Sequence, residues 1–223
     1  MLLSRLRSLS PTPLLILGLL AVAPPVLAAE TEPIRTVDQS IPIEGVSSLH
    51  VILRIGDLTV RGTEGTDAEA QVKIHCVSNE KDKCRDAAAK IGLAWVRDDQ
   101  VLRLRITGTS RLSSRHIHIE SRLEAPASLP LEIDVGAGDV HLAQTTSDVE
   151  IDIGAGDATA QLSKSAMRVV RLDVNAGDAQ LTADGATVEG SGLVHKALNW
   201  TQGEGKAILE IDIGSGDARV RLD

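Results

Sequence analysis

A short motif recurs four times in the second half of this 223-residue chain. It is "IDVGAGD" at 133–139, "IDIGAGD" at 151–157, "LDVNAGD" at 172–178 and "IDIGSGD" at 211–217. Each copy joins a short segment of alternating apolar residues to a glycine turn and an aspartate, after which apolar residues resume. This pattern predicts a strand, a tight corner and a second strand in every unit, with branched apolar side chains on the inner face.

The spacing of the copies predicts how the units are arranged. Their closing aspartates, Asp139, Asp157, Asp178 and Asp217, are 18, 21 and 39 residues apart. A period near 20 is typical of solenoids, in which only stacking buries the core. Because the last interval is close to two periods, we expect a degenerate coil at 188–194, with Leu193 in the aspartate position. The predicted fold is mostly β, a single-stranded β-helix or β-solenoid with one short helix in the N-terminal half.

The corner residues are expected to have a structural role. Glycine supplies positive φ at a tight bend, and aspartate caps free backbone N–H groups. The turn residues concerned are Gly136, Gly138, Asp139, Gly154, Gly156, Asp157, Gly177, Asp178, Gly214, Gly216 and Asp217. Calcium is the less favoured alternative, because the G-G pair and nine-residue period of calcium β-rolls are missing.

Two further groups of polar residues lead to no predicted metal or cofactor. Asp134, Asp152, Asp173 and Asp212 occupy equivalent outward positions, so neighbours should lie about 4.8 Å apart. Their repulsion in water is about 1 kcal/mol per pair, which needs no ligand to offset it, although such a stripe could attract cations or basic partners. His116 and His118 share a strand face, but the sequence names no third ligand.

The first 28 residues have the layout of a secretory signal. Arg5 and Arg7 precede an apolar segment at 14–23, and "VLA" at 26–28 offers small residues for cleavage. The apolar segment is too short to span a bilayer. We therefore expect cleavage after Ala28 and export to the periplasm or beyond, with the net charge moving from −8 to about −10.

The N-terminal half adds a local feature to the β pattern. Cys76 and Cys84 are close in sequence, which in an oxidising compartment predicts a disulfide. Between and after them, "SNEKDKCRDAAAKIG" predicts a short helix capped by Ser78 and ended by Gly92. We expect an N-terminal β region at 29–125 and a repeat region at 126–223, continuous as one domain.

Composition excludes one class of function and draws attention to one side chain. The chain has no Phe or Tyr and is acidic, which argues against nucleic-acid binding. Trp200 lies in the longest insertion between repeats, 183–206. Exposed, its indole could contact a partner; buried, it would cap the core, which is the favoured interpretation.

The repeat units also carry a family resemblance. "LEAPASLPLEIDVGAGDVHL", "VEIDIGAGDATAQL" and, upstream, "LHVILRIGDLTVRG" resemble the bacterial putative-adhesin family of β-strand repeat proteins over roughly 45–223. The resemblance implies an exported or membrane-anchored protein with a β-helix-like domain and without established catalytic residues.

These observations favour an exported, non-enzymatic protein of the bacterial envelope that acts through protein or surface contacts. Its contact surface is expected on a sheet face or in the 183–206 insertion. Two alternatives remain open: a polysaccharide-active β-helix enzyme and a purely structural periplasmic module.

Overall fold

The computed structural model describes residues 32–109 and 115–223, which belong to one compact unit. The expected signal segment, 1–28, lies outside these residues. The strands are β1 (Arg35–Pro42), β2 (Ser48–Leu53), β3 (Asp57–Thr63), β4 (Asp67–Cys76), β5 (Gly92–Asp98), β6 (Val101–Thr107), β7 (Ile117–Pro126), β8 (Leu131–Ala137), β9 (Val140–Ala143), β10 (Val149–Ala155), β11 (Ala158–Leu162), β12 (Met167–Val174), β13 (Ala179–Ala183), β14 (Ala186–Glu189), β15 (Lys196–Trp200), β16 (Ala207–Ser215) and β17 (Ala218–Leu222). The helix α1 spans Lys81–Lys90. The mostly-β class with one short helix is therefore confirmed.

The strands form two mixed sheets. The nine-stranded sheet has the order β1-β4-β7-β3-β9-β11-β17-β13-β14, and the eight-stranded sheet has the order β15-β12-β16-β10-β8-β2-β6-β5. Their central strands pair in parallel, whereas the edge strands pair antiparallel. No helix in 32–109 or 115–223 is long and apolar enough to cross a membrane.

The repeat unit runs from one sheet to the other. In each motif copy the first strand lies in the eight-stranded sheet, the corner follows, and the second strand lies in the nine-stranded sheet. The predicted alternation is seen in β8 and β9, where Leu131, Ile133, Val135, Val140 and Leu142 are buried. Inward side chains of both sheets form one hydrophobic cluster, so stacking of the units builds the core.

The units do not stack in sequence order, and they form no closed solenoid. The expected sequential arrangement would place the C-terminal unit at the end of the stack. Instead β16 lies between β10 and β12, and β17 lies between β11 and β13. The last unit of the chain thus fills an interior position, where both its edges are hydrogen-bonded to neighbouring strands.

The prediction of a degenerate coil at 188–194 is wrong, because the strands on both sides of this segment pair antiparallel with their neighbours. Asp184 and Gly185 both have positive φ (52° and 75°), as in a two-residue hairpin turn, and they return the chain as β14 antiparallel to β13. β15 then pairs antiparallel with β12. Leu193, expected at a corner, is fully exposed. The segment therefore adds one antiparallel strand to each sheet, so that β14 and β15 are the edge strands at this end.

The N-terminal half is joined to the repeats by the same pairing. β2 pairs with β8 and β3 with β9, in parallel. The structure contains the Cys76–Cys84 disulfide, with a Cα–Cα distance of 5.6 Å, at the junction of β4 and α1. The helix is not capped by Ser78 as expected, because the N-cap residue is Glu80. The Ser78 hydroxyl accepts a hydrogen bond from the Glu80 N–H at 3.3 Å. Gly92 begins β5 and does not end the helix.

Glycine is required at the corners because neighbouring backbones come very close. Gly138, Gly156, Gly216 and Gly177 have φ between 138° and 144°. A Cβ on Gly156 would lie 2.0 Å from the carbonyl oxygen of Gly138, and one on Gly216 would lie 2.0 Å from that of Gly156. Gly136, Gly154 and Gly214 face the same constraint without positive φ, with neighbouring carbonyl oxygens at 2.5–2.6 Å.

The corner aspartates form a ladder that runs across the stack. Oδ1 of Asp57 accepts the N–H of Asp139 at 3.0 Å, and Oδ1 of Asp139 accepts the N–H of Asp157 at 2.9 Å. The series continues from Asp157 to Asp217 at 2.8 Å and from Asp217 to Asp178 at 2.9 Å. The first four carboxylates therefore each cap the next unit, whereas the sequence suggested local capping within a turn. We call this set of five residues the aspartate ladder.

Substitution of a corner glycine tests the close approach of the units. Gly156→Ala should lower the free energy of unfolding by about 3 kcal/mol or more, because the methyl group meets backbone that cannot move independently. Gly185→Ala is the matched control, since its φ is 75° but nothing lies within 4 Å of the added Cβ. It should cost only about 1 kcal/mol. Equal losses in urea denaturation would contradict the role of the carbonyl contact.

Candidate functional site

Seven carboxylates lie on the outer face of the eight-stranded sheet, and we call them the acidic face. They are Glu132 and Asp134 on β8, Glu150 and Asp152 on β10, Glu210 and Asp212 on β16, and Asp173 on β12. The register places Asp134 opposite Asp152, Asp152 opposite Asp212, and Asp212 opposite Asp173. The predicted aspartate row is thus present, in the spatial order 134, 152, 212, 173.

A second row of acids runs beside the aspartates. Glu132 lies opposite Glu150, and Glu150 lies opposite Glu210. The signal for this row was in the sequence, because "EID" precedes the corner in three of the four copies. Residues two apart on a strand point to the same side, so two rows of acids share one face.

Crowding affects the protonation of these acids. Burial raises the pKa of Asp152, and the charges of Asp134 and Glu132 raise it further. Burial also raises the pKa of Asp212 and of Glu150, again with added repulsion from neighbouring carboxylates. Ionisation of the acidic face therefore costs free energy, from burial and from repulsion between the carboxylates. A bound cation would reduce this cost.

An arginine and a histidine border the acidic face on two sides. On β12, Arg171 pairs with Glu210. On β2, the Nε2 of His50 lies 2.7 Å from Asp134 Oδ2 and 3.7 Å from Glu132 Oε1. The His50 side chain is 15% exposed. Sequence reasoning missed His50, because its partners lie more than eighty residues away in the chain.

A shallow depression of about 310 Å³ opens beside the glutamate row. Its lining includes Glu132, Glu150 and Glu210 together with the apolar Pro130 and Ile208. The combination of carboxylates and apolar side chains could receive part of a ligand, but the carboxylates lie on a sheet face and line no deep cleft.

The corner aspartates serve packing. One carboxylate oxygen of Asp139, Asp157 and Asp217 accepts the N–H of the neighbouring unit. The second oxygen of Asp157 and that of Asp217 face Arg219. A calcium ion at these corners would have to displace existing hydrogen bonds and an arginine.

The two histidines considered for a metal site do not share one. His116 Nδ1 lies 3.2 Å from the Ser78 hydroxyl and 3.5 Å from Glu80. His118 Nε2 instead lies 3.2 Å from Asp57 and 3.6 Å from Glu120. Each imidazole thus has separate polar neighbours.

The 184–206 segment presents apolar side chains to solvent at the end of the stack. Leu193 is 101% exposed, Val194 70% and Val188 49%. Trp200 on β15 is only 8% exposed and belongs to the hydrophobic cluster. The indole therefore occupies the capping position, and the apolar side chains available for contact are those of 188–194, which we call the apolar tip.

The chain matches one family model. The family is described as Toastrack DUF4097, and the match covers residues 27–221. The comparison with curated proteins returned no match.

One solved structure shares the fold. A putative cell adhesion protein from Clostridium sporogenes superposes with a TM-score of 0.54 at 16% identity, over 86% of this chain and all of that chain. A putative adhesin from Parabacteroides merdae is 8% identical over 86% of this chain and 98% of that chain, with a TM-score of 0.25. The first of these supports the overall arrangement of strands.

The raised pKa of Asp152 predicts a pH dependence. The ordinary pKa of this carboxyl group is 3.8, and its pKa in the folded chain is higher. At pH values between the two, the folded state binds more protons than the unfolded state. Stability from this group therefore falls as pH rises through that interval. Asp152→Asn should be more stable than the parent at pH 7, by roughly a few tenths of a kcal/mol after solvent screening. Below pH 3.8 the difference should disappear.

Thermal melting of both proteins between pH 3 and pH 8 measures this effect. Asp67→Asn, at an exposed position of the nine-stranded sheet, is the control for loss of one negative charge. A stabilisation at pH 7 that is equal for both variants would attribute the effect to net charge and not to the acidic face.

Proposed function

Because the chain belongs to the Toastrack DUF4097 family, we propose that it is an exported, non-enzymatic protein of the bacterial cell envelope that acts through protein or surface contacts. The observation that carries this proposal is the apolar tip at 188–194, where three large aliphatic side chains face solvent. The neighbour from Clostridium sporogenes is described as a putative cell adhesion protein, which is compatible with such a role.

The apolar tip is supported like a binding loop. It joins β14, at the edge of one sheet, to β15, at the edge of the other, and a bridge between Ser191 and Ala197 closes its base. The Trp200 indole beneath β15 is held in the core. Exposed apolar side chains between two paired strands favour contact with a partner, because a partner that covers them removes apolar surface from water.

Export is supported by the signal-like segment at 1–28 and by the Cys76–Cys84 disulfide, since disulfides persist in oxidising compartments. The proposed location is the periplasm or the cell surface. The domain arrangement proposed is a single β domain that starts near residue 29 and includes both the N-terminal β region and the repeats.

The two alternatives receive less support. A polysaccharide-active enzyme needs an acid and a second carboxylate on either side of a bound sugar. Glu150 and Asp152 have raised pKa values, but they lie on the same strand face among other acids. A module that assembles end to end is expected to expose the apolar coil at its C-terminal end, whereas the C-terminal strands β16 and β17 lie inside the two sheets.

Binding of the purified protein to bacterial envelope fractions tests the contact role. The double substitution Leu193→Ser and Val194→Ser should weaken the affinity for the envelope by about thirtyfold, as measured by co-sedimentation, because two exposed aliphatic side chains each contribute on the order of 1 kcal/mol. The core should be unaffected, since both side chains are exposed.

Val96→Ser is the matched control, because Val96 is also exposed (51%) but lies on β5 at the opposite end of the eight-stranded sheet. It should leave sedimentation unchanged. Equal binding by the double variant and the parent would exclude the apolar tip as the contact surface. Release of reducing ends from envelope glycans, abolished by Glu150→Gln, would favour the enzyme instead.

A further inference from the structure

We propose that His50, Glu132 and Asp134 form a binding site for one divalent transition metal ion of the zinc type. His50 offers Nε2, and the two acids offer one carboxylate oxygen each. These three atoms lie within 4.8 Å of one another. Among residues 32–109 and 115–223, no other group of three histidine, cysteine or acidic side chains brings its ligand atoms this close together.

The backbone fixes the position of all three ligands. β2 and β8 are neighbouring parallel strands, and the register sets His50 opposite Glu132 and Ile52 opposite Asp134. On the other face of the sheet, Val51 and Ile133 are completely buried. A one-residue slip would expose these core side chains, so the register is strongly specified. The ligands are thus held on central strands of a sheet, which suits a preorganised site.

The distances suit a zinc-type ion after a small adjustment. Ligand atoms about 2.0–2.2 Å from a tetrahedral zinc ion are roughly 3.4 Å from one another. His50 Nε2 and Glu132 Oε1 are 3.7 Å apart, close to that separation. His50 Nε2 and Asp134 Oδ2 are at hydrogen-bond distance, 2.7 Å. A metal ion would displace the proton between them to solvent, and the two atoms would have to move apart by roughly 0.7 Å. Glu132 and Asp134 are about half exposed, so their side chains can make this adjustment.

The strand on one side of the site, β10, supplies negative charge for a cation, whereas β6 on the other side presents Arg103 and Arg105. Glu150 lies opposite Glu132, and Asp152 lies opposite Asp134, so two more carboxylates border the site on β10. On the other side, Arg103 lies opposite His50, but its guanidinium is paired with Asp98 at 2.6 Å. A divalent ion would balance the charges of its two carboxylate ligands and relieve repulsion within the acidic face. The fourth position would remain for water or for Asp152.

The imidazole determines which cations should bind. Carboxylates alone suit calcium and magnesium, whereas a nitrogen ligand favours zinc, nickel or copper. The proposal therefore differs from general attraction of cations to an acidic surface, and it is independent of the contact role of the apolar tip. Loss of one would leave the other intact.

Calorimetric titration of the metal-free protein with Zn²⁺ tests the site. We expect one Zn²⁺ per chain, and His50→Gln should weaken binding by more than about tenfold, since even changes in supporting residues cost about that much in metal affinity. Glu132→Gln should have a similar effect and is the second variant, because this side chain is 53% exposed and its loss removes no core contact. Co²⁺ in place of Zn²⁺ should give visible absorption that His50→Gln abolishes.

His118→Gln is the control, because His118 is also flanked by two carboxylates, Asp57 and Glu120, on the other sheet. It should leave Zn²⁺ binding unchanged. Absence of Zn²⁺ binding, equal affinity in His50→Gln and the parent, or loss of binding in His118→Gln would each overturn the proposal. The proposal would also be overturned if Ca²⁺ bound as tightly as Zn²⁺ and His50→Gln changed neither affinity. That result would assign cation binding to the acidic face as a whole.

Discussion

The close contact between corners is the constraint on which the rest of this structure depends. Each corner glycine lies against a carbonyl of the neighbouring unit, and each corner aspartate hydrogen-bonds to the next one in the ladder. Together they fix the register between units at every step of the stack. Because side chains alternate along a strand, that register also determines which residues face solvent and in which rows.

The acidic face follows from this register. Repeats of nearly identical sequence, stacked without offset, place identical residues beside one another, so Glu and Asp form rows whether or not a ligand is present. Burial raises the pKa of Asp152, and the neighbouring carboxylates in the rows raise it further. At the border of these rows the repeat is broken by β2, which has His50 where the neighbouring units have Glu. The imidazole of His50 adds a nitrogen ligand to the carboxylates, and this ligand makes the proposed site selective for zinc-type ions.

Much of the fold could be predicted from the sequence. The alternation in "LEIDV" and its copies identified the strands, their buried faces and the outward aspartates, because period-two patterning is a local property. The order of the units could not be predicted from spacing, since a unit near the C-terminus can occupy an interior slot when its neighbours have equivalent corners. The hairpin at Asp184 and Gly185 was a readable signal, as "DG" between apolar residues favours an antiparallel return.

The candidate sites were less accessible to sequence reasoning. His50 and Asp134 are 84 residues apart, and their proximity results from the pairing of β2 with β8, which no local spacing indicates. Asp57 heads the aspartate ladder although its corner has Arg54 where the first glycine of the repeat stands, so it was not grouped with the other corners. Trp200 attracted attention as an aromatic residue in the insertion, whereas the large hydrophobic side chains exposed there are aliphatic: Val188, Leu193 and Val194.

Amide hydrogen exchange measured by NMR tests the central claim, which is that the C-terminal unit is locked inside the stack by the aspartate ladder. The amides of Asp157 and Asp217 each donate to a neighbouring carboxylate, so they should be as strongly protected as those of Ile151 and Ile211 in the central strands. Rapid exchange at Asp217 and along β17, with protection retained at Asp178, would show a frayed terminal unit and would contradict this arrangement.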